Sequence, residues 1–451
     1  MVHTKEKSYT IYNASCLDVM DSMEENSIDC IVTDPPYEIG FMGKKWDNTG
    51  IAFSVETWQK ALRVLKPGGY LLAFNHSRTF HRMMVAIEDA GFELRDTVMW
   101  IYGSGFPKSH NIAKAIDKSL GFEREIIGKT IRPEGRAFAE GASGFAKGEV
   151  DITISSTEEA KKWDGYGTAL KPAFEPIVMA RKPFKTSVAE NVLTYGVGGI
   201  NIDECRIGSE VITTNGKGKQ NGMTPIVPQS EDYIGSTNIG RFPANIIHDG
   251  SAEAISGFPD TSSIGSGYNF DKGDNDNPAN VVNNIKSGKH FDDSGSASRY
   301  FYTAKASVKD RDEGLSQFTP QQVNDGILTE IDNAYQRGET LRKNIHPTVK
   351  PCDLMQYLIR LVAPKGATIL DIFMGSGSTG KATMIENTER NADYHFIGID
   401  LEKEYCDISK ARIEWGINFK EIEDTHILYD DSGKGTKVIQ DKFDLFGEID
   451  K

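Results

Sequence analysis

Two short β-branched runs constrain this chain most. Ile28–Thr33 and Thr368–Ile372 each end against an acidic residue and a tight turn. Short continuous apolar runs with no polar alternation suit strands buried on both faces, as in parallel sheets covered by helices. More of the same alternation surrounds each run. Val55–Leu65 is apolar at helical spacing and Lys66-Pro67-Gly68-Gly69 ends it; Tyr70–Phe74 reads as a strand, Arg78–Ala90 as a helix stopped by Gly91, and Leu94–Ile101 as a strand. Beyond Pro351 the pattern resumes, with helix at Asp353–Val362, strand at Thr368–Ile372, helix at Ser378–Asn387, strand at His395–Ile399 and helix at Glu402–Trp415. The expected fold class is α/β, an open parallel twisted sheet built from both ends of the chain.

The middle is different. From about residue 105 to 340, Gly, Asn, Ser and Asp accumulate, above all over 257–298, and periodicity weakens. Loops of this length are functional or disordered. The segment reads as an insertion of short strands and long polar loops, mobile around 265–293 in the absence of a partner. Four regions follow: 1–104, 105–340, 341–420 and a polar tail 421–451.

Composition narrows the class. Of 451 residues, 38% are hydrophobic and 26% charged, the balance of a globular protein. No run of eighteen apolar residues is present, so no membrane span is expected. Met1–Ser8 has no apolar signal core, and cytoplasmic residence is the expectation. The five cysteines form no CxxC pair, so buried free thiols are expected and no metal site. A net charge of −14 is the wrong sign for a chain that grips phosphates over its whole surface.

The second run opens into Asp371-Ile372-Phe373-Met374-Gly375-Ser376-Gly377-Ser378-Thr379. Glycines between a strand and a helix allow positive φ and close approach of backbone to a ligand, and the helix start favours anionic groups. Asp400 stands 23 residues after Gly377, at the end of the next strand, where a carboxylate can accept both hydroxyls of a ribose. It also suits a cap for the helix that follows. A nicotinamide-binding turn competes with this reading but lacks a full GxGxxG.

The first run opens into Asp34-Pro35-Pro36-Tyr37. An exocyclic amine on a nucleobase is a poor nucleophile because its lone pair is delocalised into the ring. A carboxylate and a backbone carbonyl that accept its two N–H groups draw the lone pair out. Asp34 and Pro35 suit that task, Pro35 and Pro36 direct the carbonyl, and Tyr37 offers a face to a base turned out of a duplex.

In this order the two motifs, with His346-Pro347-Thr348-Val349-Lys350-Pro351 before the second, resemble the permuted β group of DNA amino-methyltransferases. The resemblance implies a Rossmann-like sheet that binds S-adenosyl-L-methionine and methylates adenine N6, with cytosine N4 as the alternative. A DNA-binding protein that has lost catalysis is the reading from another class. The resemblance further implies catalytic Asp34, Pro35, Pro36 and Tyr37. It also implies cofactor contacts from Thr348, Lys350, Asp371, Phe373, Gly375, Ser376, Gly377, Thr379 and Asp400, with Lys350 facing the cofactor carboxylate. Ser15, in the turn before the first helix, stands where the family commonly has an acidic residue.

The resemblance assigns target recognition to the middle segment. There, the strings at 100–111, 167–176 and 296–307 are similar to phage and prophage members. Arg299, Tyr300, Tyr302 and Lys305 interleave basic and aromatic side chains, as phosphate contact and base stacking require; an amphipathic strand with core aromatics would look the same. The implied partners are double-stranded DNA and a second copy of the chain. Gln440–Phe446 in the tail loosely resembles segments that dock on replication sliding clamps.

Overall fold

A computed structural model describes residues 8–40, 45–103, 105, 109–131, 149–213, 237–262, 294–304, 308–323, 340–419, 427–429 and 435–437. The stretch 265–293, Lys305 and the tail segment Gln440–Phe446 lie outside the described residues.

Nine strands form one sheet. In chain order they are β1 (Tyr9–Asn13), β2 (Ile28–Thr33), β3 (Leu65–Phe74), β4 (Glu93–Ile101), β5 (Phe174–Arg181), β6 (Ile246–His248), β7 (Tyr302–Thr303), β8 (Thr368–Asp371) and β9 (His395–Asp400). Across the sheet they run β1-β9-β8-β2-β3-β5-β4-β6-β7. β8 lies directly against β2 in parallel, with Leu370 opposite Ile31. The two apolar runs from opposite ends of the chain are therefore neighbours. Their C-terminal ends open on the same edge, where ligands of α/β sheets bind.

The expectation of an all-parallel sheet fails at one strand. β5 pairs antiparallel with both β3 and β4, setting Leu72 opposite Met179 and Trp100 opposite Glu175. Strand–helix alternation along 1–104 reports only how neighbours in sequence connect. It carries no information about a strand inserted between β3 and β4 from far along the chain. β6 and β7 come from the same middle segment and extend the sheet beyond β4.

Side-chain alternation on the central strands feeds two cores. Ile31, Leu71, Ala73 and Leu370 face α1 (Cys16–Ser22), α2 (Val55–Val64) and α3 (Phe80–Asp89). Cys30, Val32, Leu72, Phe74 and Ile369 face the other way. There they meet α5 (Cys352–Val362) and α6 (Ser378–Arg390), with Ile413 of α7 (Lys403–Ile417). A short helix α4 (Val308–Asp312) precedes these in the chain. Trp58 of α2 is fully enclosed and donates its indole N–H to the Ala52 carbonyl at 3.0 Å. Enclosing a side chain of that size contributes about 2–3 kcal/mol.

One boundary differs in kind from the sequence reading. Lys66–Gly69 is not a turn after a helix but part of β3, which begins at Leu65. The helix stops because Leu65 is already extended, and the register against β2 shifts between Ile28 and Cys30 to take up the slack. All five cysteines are buried and unpaired, as their scatter suggested. No described helix is long and apolar enough to cross a membrane.

Candidate active site

A cavity of about 1200 Å³ opens along the C-terminal ends of β2 and β8. Asp34 to Tyr37 line one part of it and Phe373 to Ser376 another, with Asp400 beside the second group.

The Asp34–Tyr37 loop is held from several sides. Asp47, itself buried, accepts the N–H groups of Glu38 at 2.9 Å and Ile39 at 3.3 Å. The Thr79 hydroxyl donates to the Tyr37 carbonyl at 2.9 Å. The Tyr37 hydroxyl donates to Glu175 Oε2 at 2.8 Å. Lys350 completes the group: its Nζ lies 2.7 Å from Asp34 Oδ2, 2.9 Å from the Tyr37 oxygen and 3.3 Å from Glu175 Oε2. The second oxygen of Asp34, Oδ1, is buried and has no hydrogen-bond partner among the described residues. Burial alone would pull the Lys350 ammonium down, but Asp34 and Glu175 outweigh it and hold the ammonium above its ordinary range. Burial, then Asp34 and Glu175, push the Tyr37 phenol well up, so it is a neutral donor at any ordinary pH.

Lys350 lines the same cavity as the glycine turn and is paired within it. Its ammonium is bound to two side-chain carboxylates of this chain, and a cofactor carboxylate would compete with both.

The glycine turn is equally built. Gly375 has φ +52° and Gly377 φ +76°, the left-handed region. The Gly375 N–H donates to Asp400 Oδ2 at 2.8 Å, and its carbonyl accepts from the Ser409 hydroxyl at 2.7 Å. A Cβ on Gly375 would stand 2.8 Å from His346 Nε2; one on Gly377 would meet the Ser409 Cβ at 2.8 Å and its Cα at 2.9 Å. The first glycine thus lets the chain pass under His346. The second is not on the cavity wall; it lets α7 approach. Gly377→Ala is expected to destabilise the protein by about 1–3 kcal/mol, from left-handed strain and overpacking against backbone. Urea denaturation measures this, and an unchanged midpoint would show that the turn relaxes at no cost.

Several residues expected to touch a ligand line the cavity and are also hydrogen-bonded within the protein. Asp371 accepts from Thr33 Oγ1 at 2.7 Å, from Thr379 Oγ1 at 2.6 Å and from the Phe373 N–H at 3.1 Å. It ties β8 to β2 and to the start of α6. Burial raises its carboxyl to about 7 against the pull of those donors. Ser376 gives its carbonyl to Arg412 Nη1 at 2.6 Å and its hydroxyl oxygen at 3.0 Å. Phe373, Gly375, Thr348 and Asp400 face the cavity. Asp400 also braces the backbone around it: Oδ2 takes the Gly375 N–H and Oδ1 takes the Glu402 N–H at 2.8 Å. Burial lifts its carboxyl to about 6.

The basic–aromatic string is not at the cavity. The Arg299 guanidinium donates to the Ser296 carbonyl at 2.7 Å, to Thr261 at 2.9 Å and to the Tyr300 oxygen at 2.6 Å. Tyr302 stacks on Tyr357 with ring centres 3.9 Å apart. Tyr302 sits on the edge strand β7, and Arg299 ties together the neighbouring hairpin of Asp260–Ser262 and Ser294–Ser296.

The sequence reading passed over Glu175, Trp46 and Tyr405. Trp46 and Tyr405 both pack against His346, at 6.2 and 4.6 Å between ring centres, beside the glycine turn. Glu175 carried a signal: it is the one charged residue within the apolar run from Pro172 to Ala180.

Residues 28–411 match the model of the DNA methylase family N6_N4_Mtase. Among curated proteins, the chain is 26% identical over 235 residues to the type II methyltransferase M.HindIII of Haemophilus influenzae, covering 42% of this chain and 64% of that one. It is 31% identical over 117 residues to the type II methyltransferase M.HpaI of Haemophilus parainfluenzae, covering 25% and 37%. The matches therefore span less than two thirds of these relatives. Among solved structures, a complex of M1.HpyAVI with SAM aligns over 90% of this chain and 99% of its own, at 14% identity and TM-score 0.33. The cytosine-N4-specific PvuII DNA methyltransferase aligns over 90% and 88%, at 12% identity and TM-score 0.38.

Proposed function

Since the chain belongs to the N6_N4_Mtase family of DNA methylases, we propose that it methylates an exocyclic amino group of DNA, with adenine N6 as the target, as a member of the permuted β group. One observation carries this reading: Asp34 Oδ1 is buried without a partner, on the same cavity as the glycine turn and Asp400. An unpartnered buried carboxylate oxygen is costly unless a ligand donor completes it.

The cavity suits S-adenosylmethionine. Close passage of backbone at Gly375, a carboxylate at Asp400 able to take ribose hydroxyls, and aromatic walls from Trp46 and Tyr405 match a nucleoside. When bound, the cofactor supplies a methyl group on a positively charged sulfur. The rest of the work falls to the chain. Asp34 Oδ1 accepts one amine N–H, and the Pro35 carbonyl accepts the second. Tyr37 offers its ring to the base. The amine nitrogen gains a fourth bond, becomes positive, and must release one proton; Asp34 is the acceptor at hand. The approach of amine and methyl inside one enclosed cavity supplies much of the remaining acceleration.

Asp400→Ala is expected to weaken cofactor binding about tenfold to a hundredfold, the worth of hydrogen bonds to a charged acceptor. Hydroxyl donors favour the ionised carboxylate. Affinity should therefore hold above the Asp400 value of about 6 and decline as pH falls through it, and Asp400→Asn should remove that limb. Calorimetric titration reads both effects. Unchanged affinity in the alanine variant would leave Asp400 a brace between the turn and α7.

The test of the function itself is nucleoside mass spectrometry of unmethylated genomic DNA incubated with the protein and S-adenosylmethionine. N6-methyladenine supports the reading. N4-methylcytosine keeps the chemistry and changes the base. No methylated base, from protein shown to bind the cofactor, sinks it.

A further inference from the structure

We propose that Glu175 is a positioning residue for this reaction: it shares the Lys350 ammonium with Asp34 and anchors the Tyr37 hydroxyl, so that the ammonium is not committed to Asp34 alone and Oδ1 is presented to the substrate amine. The inference rests on the methyl-transfer reading above.

Glu175 comes from the middle segment, on β5, the strand that enters the sheet antiparallel between β3 and β4. The rest of that strand supplies core: Ile177, Val178, Met179 and Ala180 are buried. A carboxylate in such company is desolvated, with 17% of its side chain exposed, and costs stability unless partners compensate. Its partners here are the two side chains that also touch Asp34 or belong to its motif, the Tyr37 hydroxyl at 2.8 Å and the Lys350 ammonium at 3.3 Å.

The charge balance gives the arrangement its purpose. Asp34 and Lys350 alone would form a neutral pair, with the ammonium committed to the one carboxylate that must hold the amine. With Glu175 on its other side, the ammonium is shared and the cluster keeps one net negative charge. That charge stands where the substrate nitrogen turns positive, in a desolvated place where fixed charges act strongly. Geometry works in the same direction. Lys350 occupies Asp34 Oδ2 at 2.7 Å, which leaves Oδ1 as the oxygen open to a donor. The Tyr37 ring is fixed through its hydroxyl from two sides, by Glu175 and by Lys350. The strand that brings Glu175 belongs to the segment to which target recognition is assigned, so the placement of Asp34 depends on both parts of the chain.

Glu175→Gln keeps an acceptor for the Tyr37 hydroxyl and removes the charge. Its kcat is expected to fall about 10- to 100-fold, the loss typical of removing a preorganised electrostatic group. The DNA KM, the cofactor affinity and the melting temperature should stay close to those of the unaltered protein. Glu175→Asp keeps the charge at a longer reach and should recover part of the lost kcat. In combination with Tyr37→Phe, the loss from Glu175→Gln should be smaller than in the parent, because the two share a contact. A full kcat in Glu175→Gln overturns the proposal. So does a loss confined to KM, cofactor affinity or melting temperature, which marks a purely structural group. Should Glu175→Gln fail to fold, a folded Glu175→Asp decides: full kcat or a raised KM alone overturns the proposal, and a reduced kcat at unchanged KM supports it. The unaltered protein is assayed in the same series. If it transfers no methyl group, the underlying reading fails and this one with it; if it is active, only the role of Glu175 is being judged.

Discussion

Asp34→Ala is expected to lower kcat by about 10²–10⁴-fold, the range for removing a group that takes a proton in the transition state. Asp34→Asn should do nearly as much, because an amide of the same shape cannot carry the charge that balances the substrate nitrogen. Neither change should disturb the fold. Asp34 is half-buried, and the Lys350 ammonium retains Glu175 as a partner. Cofactor affinity should therefore hold while turnover disappears. Single-turnover transfer of a labelled methyl group, with a cofactor titration beside it, separates the two. Turnover near that of the unaltered protein would remove Asp34 from the chemistry. Equal losses in cofactor affinity would show that the variant has damaged the cavity as a whole.

The largest effect on stability is expected at Lys381, on the helix that leaves the glycine turn. Its side chain is 1% exposed on α6, with Nζ 2.7 Å from Asp310 and 2.6 Å from Glu313. The ammonium also lies 4.6 Å from the centre of the Trp415 ring on α7. Removing one partner of a buried ion pair leaves the other charge without compensation and costs about 3–5 kcal/mol. Lys381→Met, which keeps the stem and loses the charge, should fall in that range by urea denaturation. Adding Asp310→Asn should restore part of it, since one of the two stranded charges is then gone. The consequence extends to the cavity. The Asp310 carbonyl accepts from Arg412 Nη2 at 2.8 Å, and Arg412 in turn holds the Ser376 carbonyl. Weaker cofactor binding should accompany the lost stability. A Lys381→Met protein of full stability would mean that solvent or rearrangement compensates both carboxylates.

The motifs were legible because each is a local pattern. A strand buried on both faces has no polar alternation, so β2 and β8 stand out in the sequence and were placed to within a residue. Asp34 and Asp400 were legible because each follows such a strand directly. The internal hydrogen bonds that Asp371, Ser376 and Thr379 also make on the cavity wall were not. Whether a side chain at the end of a strand faces a ligand or a neighbouring element depends on what packs there, and Arg412 and Thr33 arrive from elsewhere in the chain. The partners of Arg299 and Tyr302 were illegible for the same reason. Basic and aromatic residues brace a sheet edge as readily as they grip a nucleic acid.

By itself the sequence determined the kinds of element, the α/β class, the two turns and the carboxylates beside them, because helix and strand periodicity and glycine-dependent turns are properties of a few consecutive residues. Tertiary structure alone decided that β5 enters the sheet antiparallel and carries Glu175 to Asp34, and that Lys350 joins them rather than standing apart. Those placements follow from pairings between distant segments, whose energies depend on which surfaces meet and leave no period in the chain.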